Sequence, residues 1–161
     1  MTLKGLRKEF EPDLYTKYDA PAKEAMRIHL ELMGHVVTVP PENYGPDLYS
    51  VIGFRTVFHE VEVSVKWKCT EHHPFLNGSI PERKKRLLSK VPDPADLFFW
   101  MLRSDLKRAL VFPATTLLAK YLVEVPNYKI EAGEYFYRIP KDLGKEFDLA
   151  VIPDGQDHTF V

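Results

Sequence analysis

Apolar positions along the chain first keep a helical rhythm and then switch to alternation. Over 20–33, Ala22, Ala25, Met26, Leu30 and Met33 follow the i, i+3, i+4, i+7 spacing of one helix face. Ile28 and Leu32 widen that arc, and Glu24, Arg27 and Glu31 fall opposite. Asp19 stands where a cap belongs, Pro21 suits the first turn and Gly34 can end the helix. HVVTVP (35–40) reads as a short strand. Residues 48–53 and 56–67 read as two strands joined by a tight turn near Gly53-Phe54-Arg55. In the second of these, Glu60, Glu62, Ser64, Lys66 and Lys68 occupy alternate positions and so share one face, with Val61, Val63, Val65 and Trp67 on the other.

Beyond this hairpin, 68–80 reads as loop and 81–90 as a short basic helix stopped by Pro92-Asp93-Pro94. The nearly continuous apolar run at 95–103 predicts a strand buried on both faces, with 109–112 as its partner. A helix is expected at 114–121. Strands near 122–130 and 134–139 would form a hairpin about Glu131-Ala132-Gly133, and 147–152 would be a last strand. The order αβββαββαββ predicts an α/β or α+β fold, a mixed central sheet flanked by helices. One domain spanning 1–161 is expected, with a core motif region at 20–67 and a C-terminal elaboration at 81–152.

Composition narrows the setting more than the function. A formal net charge of −1 is not that of a strongly basic polyanion binder, although local basic patches are compatible with it. Cys69 is the single cysteine, which excludes an intramolecular disulfide and a multi-cysteine zinc site and points to a reducing interior. The first residues lack an apolar signal core, and no apolar run approaches the ~20 residues that span a bilayer. A soluble cytoplasmic protein is the expectation, with no membrane partner.

Glu60 and Glu62 repel one another on their shared face, which calls for a compensating cation. Pro46-Asp47 lies thirteen residues before Glu60 and fifteen before Glu62, with a turn between, so adjacent antiparallel strands can bring the three carboxylates together. Hydrolysing a phosphodiester at neutral pH needs an activated water and neutralisation of charge growing on the phosphate. Mg²⁺ held by a few carboxylates supplies both. Alternation of Glu and Lys is also what an ordinary solvated sheet face displays, with cross-strand pairs worth a few tenths of a kcal/mol, roughly.

A helix, then Pro-Asp, a spacer of strand-turn length and an acidic strand motif together resemble the PD-(D/E)XK nuclease superfamily. The tryptophan soon after the motif, "SIPERKKRLL" and the following apolar strand are similar to small phage- and prophage-type members. The resemblance implies a restriction-endonuclease-like fold and Mg²⁺- or Mn²⁺-dependent endonucleolytic hydrolysis of DNA. Asp47 matches the first half of the motif. The second half departs from it: read as Glu60-Val61-Glu62, a glutamate stands at the lysine position, and read as Glu62-Val63-Ser64, a serine does. The resemblance accordingly implies Asp47, Glu60 and Glu62 as catalytic and metal-binding residues, Glu24 as an additional metal ligand from the helix, and Lys66 as a displaced catalytic lysine if the strand bends. Arg83, Lys84, Lys85 and Arg86, with Lys68, form a basic cluster that is a solvated face or, beside such a site, a DNA phosphate-contact patch. Cutting two strands also raises a homodimer. A degenerate site would leave a DNA- or protein-binding module instead.

Other chemistry finds little support. His59 falls on the opposite strand face from the glutamates, Cys69-Thr70-Glu71-His72-His73 reads as a polar loop, and neither HExxH nor a glycine-rich phosphate loop is present. Phe98-Phe99-Trp100 reads as core, while one or two of Tyr135, Phe136 and Tyr137 are expected at the surface.

Overall fold

The computed structural model describes residues 18–41, 45–127 and 130–150. It is a mixed α+β structure. Helix α1 (Ala20–Leu32) leads into β1 (Val36–Thr38), β2 (Leu48–Ile52) and β3 (Arg55–Ser64), an antiparallel meander. Gly53 opens the two-residue β2–β3 turn at φ +60°, the left-handed conformation that a tight hairpin needs there. The chain then crosses over through β4 (Asn77–Pro81) and a 3₁₀ segment (Glu82–Lys90). It returns as β5 (Leu97–Arg103), parallel to β3, followed by antiparallel β6 (Arg108–Pro113). β7 (Leu122–Asn127), β8 (Ile130–Pro140) and β9 (Lys145–Asp148) complete the chain. One sheet has the order β1-β2-β3-β5-β6-β9 and the other β4-β8-β7.

Alternation along the strands divides the interior in two. Val61, Trp100, Leu102 and Val111 face α1 and meet Ala22, Met26 and Leu30. Phe58, Phe99, Met101 and Phe112 point the other way, onto Ile80, Tyr137 and Ile139 of the smaller sheet and Leu87 of the 3₁₀ segment. The large sheet, expected to be flanked by helices, is therefore covered by a helix on one face and by a second sheet on the other. The apolar run 95–103 behaves as anticipated, with Phe99, Trp100 and Leu102 all buried along β5.

Several local expectations are corrected. β4 takes up the end of the predicted loop 68–80 and the first residue of the predicted basic helix. Its alternation was hidden because the inward position before Ile80 is Gly78, which no apolar pattern marks. The expected helix 114–121 is two single 3₁₀ turns, Ala114–Thr116 and Ala119–Tyr121, and the basic helix is 3₁₀ throughout. β8 already begins at Ile130, so Gly133 lies within a strand, not at a turn. β9 runs earlier than predicted, and 151–152 lie outside the described residues. Asp19 precedes α1 but its side chain makes no capping hydrogen bond.

The most consequential correction is at the end of β3. Pairing stops at Ser64, and the Trp67 N–H donates to the Ser64 carbonyl at 3.0 Å, closing a turn. Trp67 thereby leaves the face of Val61 and Val63. It is fully buried among Phe58, Leu97 and Tyr137, with its indole N–H donating to the Thr70 carbonyl at 2.8 Å. Lys66 and Lys68 thus follow the strand instead of extending its glutamate face. Among the described residues, no helix is long and apolar enough to cross a membrane.

Candidate active site

The β2–β3 register pairs Leu48 with His59, so one step further puts Asp47 opposite Glu60. Two hydrogen bonds fix this meeting. The Asp47 N–H donates to Glu60 Oε1 at 3.2 Å, and the Val61 N–H donates to Asp47 Oδ2 at 2.8 Å. Each carboxylate also holds a lysine. Lys84 Nζ from the 3₁₀ segment pairs with Glu60 Oε2, and Lys23 Nζ from α1 lies 3.2 Å from Asp47 Oδ1. Four oxygens thus meet four protein donors drawn from four segments of the chain.

Charge at this point is under strain. Glu60 is 5% exposed, and burial pushes its carboxyl up to about 7; Lys84 pulls the value down and the Asp47 charge pushes it further up. Burial also raises Glu62, opposed by Lys84 and Arg83 and reinforced by Asp19 and Asp47. Asp19 is raised for the same two reasons, burial first and the Asp47 charge second. Four carboxylates therefore act on one another across a region whose cations are Lys23, Lys84 and Arg83.

The sequence-derived candidates separate into groups. Asp47 and Glu60 meet directly, with Glu62 two residues along the same strand face. Glu24 does not join them: on the exposed side of α1 Arg27 donates to it from Nε at 2.9 Å, which holds the Glu24 carboxyl low, and to Glu31 from Nη1 at 2.7 Å. Its neighbour Lys23 is the helix residue that reaches Asp47. Lys84 turns inward from the basic run, whereas Arg83, Lys85 and Arg86 remain exposed. Lys66 is exposed within the turn and lines the same cleft as Glu62, and Lys68 is exposed just beyond Trp67. Lys23 and Asp19 were missed. Their only signal is a charge placed four residues apart at the start of a helix, beside the buried Ala22.

On the α1 side lies a separate polar chain. The Trp100 indole N–H donates to His59 Nδ1 at 3.0 Å, so the neutral ring carries its proton on Nε2, which contacts Ser50 Oγ at 2.8 Å. The Ser50 hydroxyl is then left to donate to His35 Nδ1, also at 2.8 Å. Burial, with His35 and His29 nearby, pushes His59 down to about 3. All of these atoms sit on the far face from Glu60, in accord with the strand parity.

A divalent ion can be judged against the donors present. They are carboxylate oxygens, the type Mg²⁺ and Mn²⁺ take, and Mg²⁺ commonly uses only one or two carboxylates alongside water and substrate phosphate. Asp47 and Glu60 offer two carboxylates side by side, each already paired with a lysine, and the Glu60 carboxyl is raised chiefly by its burial. Among the described residues, no three His, Cys, Asp or Glu side chains are grouped so as to hold a metal ion. No protein-family model matches the chain, and no curated protein matches its sequence.

Proposed function

We propose that the chain is a phosphodiester hydrolase acting on DNA, of the restriction-endonuclease-like type, with Asp47, Glu60 and Glu62 as its acidic centre. The observation that supports this reading is the hydrogen-bonded approach of Asp47 to a buried Glu60. Two carboxylates held against their mutual repulsion cost stability, and such arrangements concentrate at functional sites. The helix followed by an antiparallel meander is also what the sequence resemblance anticipates.

In this reading Asp47 and Glu60 seat Mg²⁺ or Mn²⁺, which when bound neutralises phosphate charge and lowers the pKa of water. Glu62 lines an open cleft and has a raised carboxyl, so it positions the attacking water and accepts its proton. The water oxygen bonds to phosphorus as the bond to the leaving sugar oxygen breaks, and that oxygen takes a proton from solvent. Lys84 stands in for the lysine that the strand motif lacks, adding positive charge where the phosphate gains negative charge. The exposed Arg83, Lys85 and Arg86 contact flanking phosphates.

A second reading, a DNA-binding module without cleavage, is favoured by one observation: Lys23 and Lys84 already neutralise the two carboxylates. Cleavage of plasmid, single-stranded and branched DNA with Mg²⁺ or Mn²⁺ separates the two. Wild type should cut and Asp47→Ala should lose at least about a hundredfold in rate, a typical cost for removing a catalytic contact. Equal cutting by both sinks the hydrolase, and binding without cutting by both selects the module.

A further inference from the structure

Beside the acidic centre lies a cleft of about 780 Å³, walled by the end of β3 and its following turn on one side and by β4 and β8 on the other. Glu62 belongs to its wall and so links it to Asp47 and Glu60. Its other charged side chains are Lys66 and Arg138, both exposed and neither paired with a carboxylate among the described residues. Arg138 is held in place by β8, whose neighbouring Tyr137 and Ile139 are anchored in the core.

Apolar surface faces these cations. Phe75 is 48% exposed and Leu76 87%, and both line the cleft. The Phe75 ring is braced: the buried His73 packs edge-on against it at 5.6 Å and edge-on against fully buried Trp67 at 5.3 Å. An exposed aromatic face on a rigid support, next to unpaired cations, combines the two contacts that hold a single strand of nucleic acid, base stacking and phosphate pairing. The volume is that of a pocket for one small molecule, too small for a double helix. In a duplex, moreover, the base faces are stacked and closed to Phe75.

We infer that this cleft receives one unpaired nucleotide of the substrate, with its base on Phe75 and Leu76 and its flanking phosphates on Lys66 and Arg138. The strand is thereby led past Glu62 toward the acidic centre. The preferred substrate is single-stranded DNA, or duplex with a frayed or flipped nucleotide. This inference rests on the hydrolase reading for its purpose but not for its test.

Fluorescence anisotropy of labelled single-stranded and duplex oligonucleotides, measured in EDTA, reads binding without chemistry. Single strands should bind more tightly than duplex. Phe75→Ala should weaken single-strand binding about fivefold or more. Lys66→Ala and Arg138→Ala should each lower the salt dependence of log affinity by about 0.7. All three positions are exposed, and unchanged melting temperatures would confirm that the variants fold. Tighter duplex binding, or single-strand binding indifferent to all three substitutions, overturns the cleft assignment even if the protein cuts DNA. Single-strand binding that follows these residues in a protein that never cuts supports the cleft and refutes hydrolysis alone.

Discussion

Lys84 Nζ meets Glu60 Oε2, joining the middle of an exposed basic run to a carboxylate that the large sheet keeps out of water. The pair does not fully offset the burial, because Glu60 still titrates near 7. A carboxyl raised above its unfolded value binds an extra proton in the folded state. Its protonated form favours folding, and that contribution is lost as pH rises from about 4.5 to 7. Glu60→Gln should remove this slope. Urea denaturation at pH 5 and pH 8 should show the variant gaining on wild type at the higher pH, by an amount on the order of 3 kcal/mol at most. A constant difference between them would contradict the raised carboxyl.

Lys84→Met leaves the same carboxylate without its cation. The expected loss at pH 8 is about 3–5 kcal/mol, as for other broken buried pairs, and it should shrink at pH 5 where Glu60 takes up a proton. Chemical denaturation at the two pH values reads it directly.

Divalent ions should stabilise the protein through Asp47. Free ion at a hundred times its dissociation constant contributes about 2.7 kcal/mol to folding, so Mn²⁺ should raise the melting temperature of wild type and not of Asp47→Ala. Calorimetric scans with Mn²⁺ and with EDTA provide the check. An equal rise in both proteins would place the ion elsewhere.

The Trp100–His59–Ser50–His35 chain makes an opposite demand on pH. His59 is neutral in the fold and pushed down to about 3, so its contribution is complete above pH 6.5 and is lost as pH falls from there. His59→Gln should therefore flatten the acid side of the stability curve relative to wild type. Ser50→Ala, which leaves two ring nitrogens without a partner, should cost about 1–3 kcal/mol at pH 7.5, with Trp100 fluorescence reporting the change.

Gly78 carries the smaller sheet against the larger one. A Cβ there would lie 2.7 Å from Phe112 Cζ and 3.2 Å from Met101 Sδ, so Gly78→Ala should destabilise by about 1–3 kcal/mol through overpacking. A melting temperature equal to that of wild type would show that Phe112 can move aside.

The meeting of Asp47 with Glu60 was legible because strand parity and a thirteen-residue spacing across one hairpin leave few alternatives. The core strand β5 was legible from its unbroken apolar run. Glu24 was misplaced for want of the helix azimuth. The pattern puts it opposite the apolar arc, and in a helix that begins beside Asp47 it is Lys23, one residue earlier, that faces the site. Lys84 was singled out as a cation, but its partner lies on another element, and no local pattern carries such a pairing. β4 stayed hidden because a strand of Asn, Gly, Ser, Ile and Pro has almost no apolar alternation to read. The turn after Ser64, which swings Trp67 to the opposite side, depends on what the indole packs against and not on its immediate neighbours.

The parallel pairing of β3 with β5 also sets an order of events. A parallel neighbour cannot be reached by a tight turn, so the segment between them, carrying β4 and Lys84, must close as a long loop before β5 can dock. Loop closure costs entropy in advance of any contact that rewards it. Asp47 and Glu60, on a local hairpin, need only a short loop to come together, whereas Lys84, the lysine that meets Glu60, depends on the long closure. The Lys84–Glu60 pair is therefore tied to the long-range closure and not to the hairpin that gathers the acids.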